Sequence, residues 1–259
     1  MALWVRFRHA GLEGFGVLDG NAILRHQGDI FAGATPTGEA LPVAEVALLS
    51  PVQPGLFIGL WNNFHEAAAK QNLALPEVPL TFLKNPRCVI GPDAPIRPPA
   101  SYAGRVIYEG ELGLVIGATC ADASEQQAEA AIFGLTCVND VTALDLLHAD
   151  ASFPQWARAK GCDSFGPIGP AIATGLDWSA LRVKVALNGR VRQDYPCSDM
   201  ILPPARIVSL ISREITLQPG DVIACGTSVG ALPMRPGMAV EVTIEGIGTL
   251  RNVFSPQPE

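Results

Sequence analysis

The sequence predicts an α+β, β-rich chain with a small N-terminal β domain ahead of a larger unit. Three observations carry this. The 259 residues include 26 glycines and 22 prolines, so turns are frequent and elements are short. Apolar, β-branched runs closed by glycine recur along the chain, while helical patterns are few and brief. The clusters Ser50-Pro51 and Gln53-Pro54-Gly55 mark a boundary, giving domains 1–50 and 51–259.

In the first unit, Trp4-Val5-Arg6-Phe7 and Gly16-Val17-Leu18 read as strands around the Gly11 and Gly14 turn. Asp19-Gly20-Asn21 is a hairpin turn into Ala22-Ile23-Leu24, and Gly33 to Pro42 is expected to be a loop. The second unit opens with the buried strand Leu56 to Leu60. Asn62 or Asn63 is expected to cap a short Ala-rich helix carrying His65. Thr81 to Lys84 is a strand, and Pro92 to Pro99 a proline-rich loop. The run Val106 to Gly117 is a strand, and Ser124 with Gln127 forms a capping box for the helix that follows. Leu135 to Val138 leads into Asn139-Asp140, and a helix is expected from Thr142 to His148. Asn188-Gly189 is a strong hairpin turn between Arg182–Leu187 and Arg190–Asp194. Pro203 and Pro204 open a helix through Ile211, and the chain returns to β structure at Val222 to Cys225 and Val240 to Ile244.

Composition bounds the function. A net charge of -7 without a basic stretch argues against nucleic acid or an anionic membrane as partner. No apolar run reaches the roughly 18 residues of a membrane span. The first residues alternate like a strand rather than forming a signal peptide. Six scattered cysteines without a C-x-x-C pair suit reduced thiols in a cytoplasmic protein.

The chemistry centres on Glu109 and Glu111. Two apart on one strand, they share a face in apolar company. Burying both anions is costly, so either one carboxyl stays protonated or a cation sits between them. An edge strand with both glutamates in water has the same spacing. Asp140, at a strand end, is either an N-cap or a third carboxylate for one hard cation. The oxygen-only set favours Mg2+ or Mn2+ over zinc or iron, with Ca2+ as a substitute. His65 is the first candidate for proton transfer and His148 the second. Lys160 lies in an expected loop, where it could face an anion beside a metal. Gly226-Thr227-Ser228-Val229-Gly230 spells G-x-S-x-G, but Pro233, Pro236 and Gly237 follow where a nucleophile elbow needs a helix. These glycines instead suit close approach of backbone amides to an anion.

These stretches fall in a familiar order. Ile58-Gly59-Leu60 with His65, Tyr108-Glu109-Gly110-Glu111-Leu112 and Asn139-Asp140-Val141-Thr142-Ala143 precede Lys160-Gly161-Cys162-Asp163-Ser164-Phe165-Gly166. Leu187-Asn188-Gly189, Ser198-Asp199-Met200-Ile201, Leu217 to Ile223 and Glu245 to Leu250 follow. The set strongly resembles the fumarylacetoacetate hydrolase family, over about residues 51 to 254. The resemblance implies a mixed β-sheet roll, usually a homodimer, with one Mg2+ or Mn2+, acting on 2-oxo or 2-enol acids. Hydrolytic C–C cleavage of a fumarylacetoacetate- or acylpyruvate-like diketo acid is the first expectation. Isomerisation or decarboxylation of a 2-hydroxyhepta-2,4-diene-1,7-dioate-like or oxaloacetate-like substrate is the second, and a non-catalytic oxo-acid binder the third. By position, Glu109, Glu111 and Asp140 match metal ligands and His65 the catalytic histidine. Lys160 matches the lysine that holds the oxo-acid, and Thr227, with Gly226 before it, the carboxylate-binding Gly-Thr loop. Three positions depart from the family pattern. Ala68 replaces a glutamate one turn after the histidine, Leu144 an arginine and Leu147 a glutamine. They point to a more apolar substrate.

Overall fold

The structure, a computed structural model, describes residues 1–255, so the last four residues of the expected 51–259 domain lie outside the described residues. Most of the strands fall into two mixed sheets. The larger runs in the order Thr35–Pro42, Ala22–Gln27, Leu12–Asp19, Leu3–His9, Gly166–Ala173, Ile132–Asn139, Gly110–Ile116, Val222–Ala224, Phe57–Trp61, Leu80–Lys84. The smaller runs Arg190–Pro196, Arg182–Leu187, Ala239–Ile244, Gly248–Phe254, Pro95–Ile96. Parallel pairing of Val222–Ala224 with Phe57–Trp61, and of Gly248–Phe254 with Pro95–Ile96, makes both sheets mixed. The second sheet packs on the strands Gly110–Ile116, Ile132–Asn139 and Gly166–Ala173, and the main core lies between them.

The N-terminal strands extend the larger sheet through antiparallel pairing of Leu3 with Ala173 and Trp4 with Ile172. They also hold a small core of their own, in which Val5, Phe7, Ile23 and Leu41 pack with Ala171. Among the described residues, no helix is long and apolar enough to cross a membrane. The six cysteines are all unpaired, and five of them are buried.

Several local expectations need correction. Gly33 to Pro42 is not a loop throughout, because Thr35–Pro42 pairs with Ala22–Gln27 as an edge strand. Only Leu41 of that strand is buried, so no apolar alternation reveals it. The run Val106 to Gly117 is not one strand. Val106–Ile107 pairs with Thr142–Ala143, the ladder breaks at Tyr108-Glu109, and Gly110–Ile116 continues fully buried in the large sheet. The expected helix from Thr142 to His148 shrinks to Leu144–Leu147, since Thr142 and Ala143 are held as strand. Pro95–Ile96 adds a short strand inside the proline-rich loop.

Neither Asn62 nor Asn63 caps the helix His65–Gln71, which follows Phe64. Asn62 takes a left-handed backbone, with φ 58°. The buried Asn63 side chain instead donates to the carbonyls of Cys225 and Leu202 at 2.9 and 3.3 Å and accepts from the Leu202 amide at 2.9 Å. A remote carboxylate serves the helix end, as Asp199 accepts from the Glu66 amide at 3.0 Å. The capping box at Ser124 and the Asn188-Gly189 hairpin form as the sequence indicates.

Candidate metal centre

The ladder break before Gly110 builds the site. Glu109 leaves the strand ladder, and its amide donates to Asn139 Oδ1 at 3.1 Å while its carbonyl accepts from the Asp140 amide at 2.8 Å. These two bonds fasten the end of Ile132–Asn139 beside the break. Asp140 and Glu109 therefore meet, and Glu111 follows one residue into the buried strand. One oxygen from each of Glu109, Glu111 and Asp140 lies within 4.8 Å of the others.

Two lysines stand against the carboxylates. Lys160 Nζ donates to Glu109 Oε2 at 2.7 Å and to Asp140 Oδ2 at 2.5 Å. Lys84 Nζ donates to Asp140 Oδ1 at 2.5 Å and to the Lys160 carbonyl at 2.6 Å. Both lysines and Asp140 are buried. Thr142 Oγ1 donates to Glu109 Oε1 at 3.0 Å. The Gly226 amide donates to Glu111 Oε2 at 2.7 Å. Gly226 takes φ +91°, and a Cβ there would lie 3.2 Å from the Leu60 carbonyl oxygen, so a side chain would disturb this approach.

The electrostatics follow. Burial raises the Glu111 carboxyl well above the usual range, and Asp140 and Glu109 repel its charge further. Burial also raises Glu109, against the pull of Lys160. Burial acts against charge on Asp140 too, but Lys160 and Lys84 outweigh it and hold that carboxyl low. Burial likewise opposes the charge on Lys160, yet Asp140, Glu109 and Glu111 hold it protonated more firmly than an ordinary lysine.

These residues fit a divalent cation. Glu111 Oε1 is buried and, among the described residues, has no hydrogen-bond partner. An orphaned carboxylate oxygen beside two others supplies the hard, oxygen-only donor set of Mg2+, Mn2+ or Ca2+.

Glu109, Thr142 and Lys160 open onto a cleft of about 510 Å³. Thr227, Ser228 and Val229 form another of its sides. Thr227 Oγ1 is already engaged, donating to the Gly110 carbonyl at 3.0 Å and accepting from Gln193 Nε2 at 2.9 Å. Ser228 Oγ is buried without a partner among the described residues.

The structure does not bring His65 into this group. His65 is the first residue of His65–Gln71, exposed, and not on the cleft wall. The helix turns Ala67 into the cleft instead, with Ala68 buried beside it. His148 does line the cleft. Lys160 closes the helix Trp156–Lys160 rather than lying in a loop.

Sequence reasoning missed two residues. Lys84 had one available signal: it sits two residues after Phe82 on a strand, so it shares that inward face. Gln193 had none. It lies on the second sheet, accepts from the Gly110 amide at 3.1 Å and donates to the Ser228 carbonyl at 3.1 Å, tying the break in one sheet to the Thr227 loop.

The sheet order, with a carboxylate triad that could hold a metal ion, has a known counterpart. The Fumarylacetoacetate (FAA) hydrolase C-terminal family profile matches residues 57–255, and the Rv2993c-like, N-terminal profile matches residues 3–51. The chain belongs to the fumarylacetoacetate hydrolase family. It is 42% identical over 225 residues to Protein Rv2993c of Mycobacterium tuberculosis, a match covering 86% of this chain and 83% of that protein. The crystal structure of a 2-hydroxyhepta-2,4-diene-1,7-dioate isomerase from Mycobacterium marinum superposes with a TM-score of 0.91 at 35% identity, covering all of both chains. A fumarylacetoacetate hydrolase from the psychrophile Exiguobacterium antarcticum superposes with a TM-score of 0.88 at 29% identity, covering 99% of this chain and all of that one.

Proposed function

We propose that this chain is a Mg2+- or Mn2+-dependent enzyme acting on a 2-oxo (2-enol) carboxylic acid. Hydrolytic C–C cleavage of an acylpyruvate-like diketo acid is the first reading. The observation that carries it is the carboxylate triad with one buried oxygen left unpartnered. A divalent ion held by Glu109, Glu111 and Asp140 would supply Lewis-acid stabilisation of charge developing on the keto oxygen.

Charge balance supports an acid substrate. Fully ionised, the three carboxylates outnumber the ammonium groups of Lys84 and Lys160 by one negative charge. A divalent cation leaves one positive charge, which the single carboxylate of a 2-oxo acid neutralises. Lys160 keeps one N–H beyond the two given to Glu109 and Asp140. Ser228 Oγ offers an uncommitted hydroxyl to the acid end, beside the engaged hydroxyl of Thr227. We assign proton transfer at the open side of the cleft to His148, which supports the role by lining the cleft where His65 does not.

A second reading is isomerisation or decarboxylation of a 2-enol or oxaloacetate-like acid. Exposed His65 and buried Ala68 favour it, because the pair of a histidine with a glutamate one helical turn on, which would activate water, does not form at these two positions. The exposed Val78, Leu80 and Leu83 at the edge of the large sheet support a homodimer, which sedimentation velocity would test.

Assays of the Mg2+-loaded chain on acylpyruvates, oxaloacetate and a 2-hydroxy-2,4-dienedioate separate the readings by product. Turnover of none of them, with oxalate still bound, would leave only a binding protein. His148→Ala is expected to lower kcat by about 100-fold, with His65→Ala much milder. The reverse order would return the proton-transfer role to His65.

A further inference from the structure

The cleft has two unlike sides. Its floor is the charged cluster, with Glu109, Thr142 and Lys160 facing in. Beside it stands an apolar, aromatic wall, whose Phe82 ring centroid lies 5.0 Å from Lys160 Nζ. Phe82 and Trp156 stack with ring centroids 5.1 Å apart and planes 16° from parallel. Trp61 meets Trp156 edge-on at 6.3 Å. Leu144 and Leu147 complete this side. The wall is built into the fold: a Cβ at Gly59 would lie 2.3 Å from the tip of the Phe82 ring, so only glycine there lets the ring lie across the strand.

No arginine lines the cleft among the described residues. Arg105, the nearest in sequence to Glu109, is instead joined to Asp145 through Nε at 3.0 Å and Nη2 at 2.5 Å. Lys160 is committed to Glu109 and Asp140. The other basic side chains on the lining, Lys70 and His148, are exposed. A second carboxylate laid against this wall would lose its hydration, and the remaining N–H of Lys160, the buried cation beside Phe82, goes to the acid head in the reading above. A flat apolar group would instead extend the Phe82–Trp156 stack.

We infer that the wall of Trp61, Phe82, Leu144, Leu147 and Trp156 selects a 2-oxo acid whose tail is aryl or alkyl rather than a second carboxylate. The assignment rests on the head-group reading given above, and it counts against a diacid with a remote carboxylate. The volume of the cleft suits an acid carrying one ring.

Calorimetry on the full Mg2+-loaded chain tests it with three probes: oxalate, benzoylpyruvate and succinylpyruvate. The last two share a 2,4-dioxo acid head and differ in a phenyl against a carboxyethyl tail. Benzoylpyruvate is expected to bind at least about tenfold more tightly, as for one ring moved from water onto an aromatic wall. Equal or tighter binding of succinylpyruvate, with oxalate bound, overturns the tail assignment alone. Failure of oxalate to bind in the presence of Mg2+ overturns the head-group reading, and the tail assignment with it. Leu144→Arg is expected to reverse the preference between the two dioxo acids. Trp156→Ala, a second variant in case the first does not fold, is expected to weaken benzoylpyruvate by about tenfold and oxalate far less. Equal weakening of both ligands would mean that Trp156 supports the site only structurally.

Discussion

The molecule holds two kinds of ion pair. On the N-terminal strands, Arg6 and Arg8 reach Glu13, and Arg25 reaches Glu39 at 2.7 Å, all on side chains open to water. Under the cleft, Lys84 and Lys160 grip Asp140 with side chains no more than 3% exposed. The contacts look alike, but water screens the first set and leaves the second bare. An exposed pair can lose a partner to solvent. A buried one cannot, so each of its members is required by the others.

The difference can be broken in four ways. Lys84→Met should have the largest effect. It strands Asp140 as a buried charge short of a partner, and unfolding in urea should show a loss of about 3–5 kcal/mol. A loss below about 1 kcal/mol would place Lys84 among the screened pairs.

Glu111→Gln should cost Mn2+ affinity more than about 100-fold by calorimetry, since it replaces the carboxylate oxygen that no other group among the described residues satisfies. An unchanged affinity would remove Glu111 from the ligand set.

The third test uses pH. The folded-state carboxyl of Glu111 titrates above its unfolded value. The metal-free fold therefore binds more protons than the unfolded chain in that window, and this group's contribution to stability falls as pH rises through it. Metal requires the ionised form, so Mn2+ affinity should climb with pH above the ordinary carboxylate range, with proton release. Glu111→Gln should flatten the stability change that Glu111 causes in the metal-free protein. A flat affinity profile in the wild type would show that Glu111 is already ionised without metal.

The smallest effect is expected at the surface. Arg25→Ala should leave the urea midpoint of the wild type unmoved within error, because its pair with Glu39 is exposed at both ends. A clear shift would make the two regions energetically alike.

The sequence alone settled what depends on neighbours along the chain. Turns at Asn188-Gly189, the capping box at Ser124 and the alternation of buried strands are local matters of backbone preference and period. It also marked Glu109, Glu111 and Asp140, since carboxylates in apolar runs are visible without a fold. Tertiary structure decided what depends on distance through space. It broke the strand at Tyr108-Glu109, brought Lys84 and Lys160 onto Asp140, withdrew His65 from the cleft and put Trp156 against Phe82. No periodicity encodes these contacts, because each joins segments far apart in the chain, and burial among those segments, not spacing, gives the charges their force.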